Sequence, residues 1–492
     1  MLFNSPSYVF FFAAVFCLYW GLRRRTAQNV LLLIASYCFY GVWSWKFLLL
    51  LCFSTLLDFS CGLLIDAAAT PRRRRAFVIA SACINLGFLG FFKYYGFFVT
   101  EAAALLTSLG LQPHVHVLQI VLPVGISFYT FQSLGYVIDV YRGKLPAERN
   151  LLSYATFVAF FPQLVAGPIE RAGHMLPQVK AERKWSTAGL ESGLMLMVWG
   201  LFKKMVIADN LSPYVDAVYS SPGHYSAATL LTATVFFAVQ IYCDFSGYTD
   251  TARGTARTLG FELMQNFDFP YFSRSPVEFW RRWHISLSRW FQDYLYFPLA
   301  MHYMRKGGWG GKYRAHLISM ALIGVWHGAN WTFLVFGLYW GCIIAGYLYV
   351  SERIAAAPED SAAVRLANSA LLSRFGPALS VAVMFVIACV GWILFRARSL
   401  ADFWTVLAGF FGAAGEVGVN RVDVLDVRLL WLLVFAMWAA ELVYRHAPRL
   451  TSLAIGGNRR RLFWRAALVC VTVLSYAVAQ HGRAQPFIYF QF

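Results

Sequence analysis

Charge is scarce in this sequence. Asp, Glu, Lys and Arg together make up 13% of its 492 residues, against about 25% in an average soluble domain. With 59% hydrophobic and 18% aromatic residues beside it, that scarcity excludes a water-soluble enzyme and points to lipid as the solvent. The nine cysteines fall singly in apolar segments, as Cys17, Cys52, Cys243 and Cys389 do. No CxxC pair or loop framework accompanies them, so neither a zinc cluster nor a disulfide scaffold is expected. The first apolar stretch, Ser7–Trp20, lacks the basic n-region and small-residue cleavage site of a signal peptide and reads as a transmembrane helix. There is no Ser/Gly linker, no internal repeat, and no HExxH or spaced carboxylate–histidine set for a catalytic metal. A single polytopic domain over residues 1–492 is expected.

What the sequence has instead is long apolar runs. A spanning helix needs about 20 apolar residues, and Phe47–Leu64, Ala76–Phe98, Val117–Val140, Trp331–Val350, Pro377–Phe395 and Leu462–Ala479 approach or exceed that length. Leu230–Cys243 and Leu429–Val443 are shorter cores, and Asn29–Tyr40, Leu190–Ile207 and the run before His327 are further candidates. Together they predict an all-α integral membrane protein with about 11–13 embedded helices. Phe157–Ala166 is too short to span and reads as re-entrant.

The net charge of +18 does not imply nucleic acid. The basic residues cluster between spans, at Arg23–Arg25, Arg72–Arg75, Arg142 with Lys144, Lys203 with Lys204, and Arg459–Arg461, as the positive-inside rule places them in cytoplasmic loops. The same rule puts the basic stretch Arg253–Arg314 on the cytoplasmic side. Within it, Ser275-Pro276-Val277-Glu278 carries an N-cap, an N1 proline and a capping-box glutamate. Helix is expected from Pro276 to about Tyr296, stopped by Pro298. Its aromatic residues suit a membrane-surface anchor. Its arginines Arg281, Arg282 and Arg289 equally suit an anionic ligand, because guanidinium forks match phosphate.

An ionisable residue inside the membrane is costly and is a functional hypothesis by default. His327, with Asn330 beside it, lies at the centre of the apolar segment Leu317–Gly341. Gly324 and Gly328 form a small-xxx-small pair that holds this segment close to a neighbouring backbone. His327 fits either a neutral imidazole bridging helices or a general base, since imidazole titrates near working pH. A channel gated by His327 has the same bulk features. His284 sits among tryptophans in the predicted surface helix. Asp139, Gln163, Gln240, Asp244, Ser246, Asp250, Asn266 and Asp293 are other polar residues near apolar segments.

Several strings in order carry a resemblance: LPVGISFYTFQ at Leu122–Gln132, FFPQLVAGPI at Phe160–Ile169, DFSGYTD at Asp244–Asp250, EFWRRWHISLS at Glu278–Ser288, VWHGANW at Val325–Trp331, and the terminus FIYFQF at Phe487–Phe492. Over nearly its whole length the chain resembles the bacterial alginate O-acetyltransferase branch of the membrane-bound O-acyltransferases. The resemblance implies a ring of tilted helices around a thin centre, with funnels from both faces meeting near His327. It implies catalytic roles at His327 and His284 and puts Asn266 and Asp293 in neighbouring family-like strings, which makes them candidates for substrate binding beside Asn330 and the three arginines. It further implies acetyl-CoA as donor substrate with no permanently bound cofactor, a periplasmic SGNH-type partner protein, an exported polysaccharide as acceptor, and a place in the bacterial inner membrane. A related branch transfers D-alanyl groups from a carrier protein to teichoic acid. Where alginate-type members carry a glycine-rich LGGN, Pro298–Tyr303 follows here, so the polysaccharide itself stays open.

Overall fold

The computed structural model describes residues 1–111, 118, 120–165, 167–306, 310–358, 361, 370–412, 426–446 and 487. The expected span Leu462–Ala479, the cluster Arg459–Arg461, His114, His116, His481 and the terminal string after Phe487 lie outside them. All regular elements among the described residues are helical. Five of these helices are long and apolar enough to cross a membrane unaided. The other embedded segments are shorter or broken pieces, which is why counting apolar runs gives a larger number of helices than length alone supports.

The chain packs into two compact units, residues 1–200 with 248–264, and residues 201–247 with 265–492. The first holds α1 (Pro6–Gly21), α2 (Arg25–Gly41), α3 (Trp45–Ala67), α4 (Pro71–Ser108), α5 (Ile126–Tyr141), α6 (Leu151–Ala159), α7 (Phe161–Leu164), α8 (Ala172–Lys180) and α9 (Thr187–Leu201). Apolar surface does not drive helices together in lipid, so polar contacts and close packing must do so. Between α3 and α4, Asp58 accepts hydrogen bonds from Ser81 Oγ at 2.6 Å and Asn85 Nδ2 at 2.9 Å, while Asn85 Oδ1 accepts from Ser54 Oγ at 2.7 Å. All four residues are buried. Of the run Phe157–Ala166, the residues up to Leu164 fall at the end of α6 and in α7, two short buried helices, and Ala166 lies outside the described residues.

The second unit opens with a π-helical stretch, Phe202–Ala208, followed by α10 (Asp209–Ser220) and α11 (Ala227–Thr258), whose last turns from Tyr248 belong to the first unit. After it come α12 (Pro276–Arg282), α13 (Ile285–Phe291), a second π stretch (Gln292–Tyr296), α14 (Phe297–Arg305), α15 (Gly311–His327), α16 (Trp331–Ala355), α17 (Ala370–Arg396), α18 (Leu400–Gly409) and α19 (Val427–His446).

Two expectations need correction. The helix predicted over Pro276–Tyr296 is broken at His284, which adopts the left-handed conformation (φ 42°, ψ 56°). Pro298 does not stop it either, but sits in the first turn of α14. The preceding π stretch widens the turn whose carbonyls a proline ring would otherwise strike. Secondly, Lys203 and Lys204 are not loop residues. Both lie on the first π stretch, 3% and 6% exposed. Lys204 Nζ bridges Asp209 at 2.8 Å and Asp244 at 2.5 Å, and Lys203 Nζ donates to Ser246 Oγ at 2.9 Å. Desolvated ammonium groups need such partners.

The α15–α16 hairpin is the scaffold of the site, and glycine makes it possible. A Cβ on Gly324 would collide with the Phe333 carbonyl oxygen and come within 2.9 Å of Gly337 Cα. Gly324→Val is therefore expected to lower the thermal unfolding midpoint and the yield of folded protein, at an overpacking cost of about 1–3 kcal/mol or more. Gly346→Val, on the same hairpin with nothing within 4 Å, should leave both unchanged.

Candidate active site

His327 is the last residue of α15. The chain then turns through Gly328, where the Phe333 ring occupies the space of a side chain, and re-enters helix at α16. Asn330 caps that helix: its Oδ1 accepts from Thr332 N–H at 3.0 Å, and its Nδ2 donates to the Arg398 carbonyl at 2.8 Å. Asn330 thus fixes the turn that presents His327. The imidazole is 4% exposed and is walled by Trp326, Phe336 and Phe395, with ring centroids 5.0, 5.9 and 5.1 Å away.

His284 reaches the same neighbourhood from the break between α12 and α13. Its ring centroid is 6.0 Å from that of Trp326, the residue before His327, and 4.7 Å from Phe245, whose ring also lies 5.5 Å from that of Phe487. The fold therefore brings the two histidines together across Trp326. His284 is fully buried and lies outside the five long apolar helices. Left-handed backbone costs a residue with a Cβ roughly 1–2 kcal/mol, and such strain persists where surrounding contacts impose it. Here Asn266 imposes it. Its carbonyl accepts from Ile285 N–H at 2.9 Å, and its Oδ1 accepts from Ser286 N–H at 3.2 Å and Ser286 Oγ–H at 2.6 Å.

A cavity of about 390 Å³ opens along α12, α13, α15 and α16. Lys312, His316, Ser319 and Ile323 line it from one face of α15. That face continues to His327, one turn and about 6 Å of rise beyond Ile323. Trp280, Phe291 and Tyr296 also line it, and the Tyr296 and His316 rings lie 4.1 Å apart. Two buried polar atoms among the lining residues, Ser319 Oγ and Trp280 Nε1, bond no described group, which makes them donors for a guest in the cavity.

The three arginines separate. Arg281 lines the cavity and has no ion-pair partner among the described residues. Arg282 is held by Glu278 at 2.6 Å. Arg289 is exposed and outside the lining. Asp293 is half-buried on the second π stretch. Sequence reasoning missed the cavity residues Lys312, His316, Ser319 and Gln292, which carry no motif of their own. For Lys312, His316 and Ser319 the signal was their polar i, i+4, i+7 spacing on the helix that ends at His327; Gln292, on the second π stretch, had none.

The imidazole of His327 thus stands at the end of a helix, one turn from a cavity lined by Arg281 and Lys312. The family model for MBOAT, the membrane-bound O-acyltransferase family, matches residues 145–391, which include both histidines and the whole cavity. The chain belongs to the membrane-bound O-acyltransferase family. It is accordingly a membrane-embedded O-acyltransferase. It is 35% identical to a probable alginate O-acetylase of Pseudomonas putida over 512 aligned residues, covering all of both chains. It is 39% identical to the corresponding protein of Pseudomonas aeruginosa over 84% of this chain and 75% of that one. A peptidoglycan O-acetyltransferase of Helicobacter pylori is 31% identical over 84% of this chain and 80% of its own.

Proposed function

We propose that this O-acyltransferase takes an acetyl group from cytoplasmic acetyl-CoA, through the α15-lined cavity, for esterification of a hydroxyl on an exported polysaccharide. The observation that carries the reading is the continuous face of α15, from Lys312 at the cavity mouth past Ser319 and Ile323 to the buried His327. Two relatives named for acetylation of alginate and of peptidoglycan support acetyl as the group and a glycan as the acceptor. A separate periplasmic SGNH-type protein would take the group onward, and the inner membrane of a bacterium is the compartment in which both substrates are reached.

In this mechanism His327 removes the proton from the acceptor hydroxyl as its oxygen attacks the thioester carbonyl. The carbon–oxygen bond forms, the carbon–sulfur bond breaks, and the electron pair leaves on sulfur. The proton held by His327 then passes to the thiolate, so the imidazole is regenerated. His284, set between the Phe245 and Trp326 rings, orients the reacting group.

Purified protein given an acetyl thioester or a D-alanyl carrier thioester, with the SGNH-type partner and glycan oligosaccharides as acceptors, separates the branches. The reading expects acetyl ester and free thiol from the first donor; turnover of the D-alanyl donor alone would replace it with the teichoic-acid chemistry. At the mouth, Lys312 is engaged by Glu352 at 2.5 Å, which leaves Arg281 as the cation for donor phosphates. Arg281→Gln should raise the donor KM about 2–5-fold, as an exposed ionic contact of about 0.2–1 kcal/mol allows, whereas Arg289→Gln should not. Equal donor KM values in both variants would remove Arg281 from the donor site.

A further inference from the structure

Asn266 does more than cap α13. Its side chain is 1% exposed, and its Oδ1 is fixed by two donors, the Ser286 N–H and the Ser286 Oγ–H. A peptide N–H can only donate, so the amide atom facing it is the oxygen, and the NH₂ end points the other way. That Nδ2 is buried and bonds no described group. A buried N–H donor without an acceptor is a desolvation cost that native proteins rarely carry without a use. The chain holds this one rigidly. The backbone carbonyl of Asn266 accepts from Ile285 N–H at 2.9 Å, and Asp268 N–H donates to the Arg282 carbonyl at 3.0 Å. The donor is therefore built into the same junction that forces His284 into its left-handed conformation.

We propose that the Asn266 amide is a catalytic hydrogen-bond donor, placed to stabilise the oxyanion that forms on the thioester carbonyl oxygen during acyl transfer. The proposal rests on the acyl-transfer reading above. When the acceptor oxygen bonds to the carbonyl carbon, the π electron pair of the carbonyl moves onto its oxygen. Asn266 Nδ2–H donates to that oxygen while the hydroxyl proton resides on His327. On collapse the carbonyl reforms, the carbon–sulfur bond breaks with its electrons leaving on sulfur, and His327 returns the proton there. A neutral amide suits this task in a water-poor site, because it needs no counter-ion before the charge develops and no reorganisation when it does. Loss of one such donor typically costs about 10²–10³ in kcat.

The test compares wild type, Asn266→Ala and Ser286→Ala in detergent, each checked for folding by thermal unfolding, with two donors: an acetyl thioester and its dithioester, in which sulfur replaces the carbonyl oxygen. Sulfur accepts hydrogen bonds weakly, so the donor's contribution shrinks with the dithioester. The proposal expects Asn266→Ala to lose about 10²–10³ in kcat with the thioester, and at least about tenfold less with the dithioester, with KM little changed. Ser286→Ala, which keeps the NH₂ group, should stay within about tenfold of wild type with both donors. The ratio of the two penalties is taken within one preparation, so a partly folded variant does not distort it. An equal penalty with both donors, or Ser286→Ala falling as far as Asn266→Ala, reduces Asn266 to a cap and overturns the proposal while leaving the function intact. A wild type inactive with the thioester overturns the acyl-transfer reading and this role together.

Discussion

Replacing His327 by Ala should lower kcat for acyl transfer by about 10²–10⁴-fold, the usual contribution of a positioned base, while leaving thermal stability near that of wild type. The structure supports the second half as firmly as the first. His327 ends α15 and is packed against aromatic rings of Trp326, Phe336 and Phe395, and Asn330 secures the turn after it through Thr332 and Arg398. Donor KM should change little, because the cavity lining ends at Ile323, a turn short of His327. Steady-state kinetics with detergent-purified protein, paired with a thermal unfolding scan, would check both. A variant that unfolds as it loses activity would make His327 a structural imidazole bridging helices, the other role its position in the sequence allows.

The largest effect on stability is expected at Lys204. Its ammonium group, buried with Asp209 and Asp244, is the partner of both carboxylates. Lys204→Met should destabilise the protein by about 3–5 kcal/mol, because removing one member of a buried ionic cluster leaves uncompensated charge behind. Removing both carboxylate charges with Asp209→Asn and Asp244→Asn in the same chain should recover most of the loss, since the three sites are coupled. Lys144→Met serves as the contrast. That lysine is largely exposed and 3.9 Å from Asp139, and surface pairs are worth only about 0–1 kcal/mol. Thermal midpoints of the four proteins in one detergent decide the matter.

Lys204 also marks where the sequence stopped being legible. Two lysines between apolar runs look like a cytoplasmic loop, because pattern reading counts charge and cannot see partners. Asp209 is five residues on and Asp244 forty, and only the π stretch and α11 bring them to one ammonium group. The spans were legible for the opposite reason. Trp45–Ala67, Pro71–Ser108 and Trp331–Ala355 owe their existence to local length and apolarity, which the sequence displays directly. The glycine pair before and after His327 was readable too, since close helix packing in lipid leaves a compositional trace. The break at His284 left none. Left-handed backbone is marked in sequence by glycine or asparagine, and here the residue is a histidine held there by Asn266, eighteen positions upstream. Asn266 and Asn330 stood out as polar residues in apolar surroundings, yet helix caps and ligand contacts look alike until partners are assigned.

The central claim is that this membrane protein makes and breaks acyl bonds at His327. Its most direct test is the stoichiometry of a single turnover: purified wild type and His327→Ala, each with the SGNH-type partner protein, mixed with labelled acetyl thioester and a glycan oligosaccharide, with thiol and ester quantified together. One thiol released per ester formed in wild type, and neither above background in the variant, is the expected result. Ester formed equally by both proteins, or by neither, would contradict it.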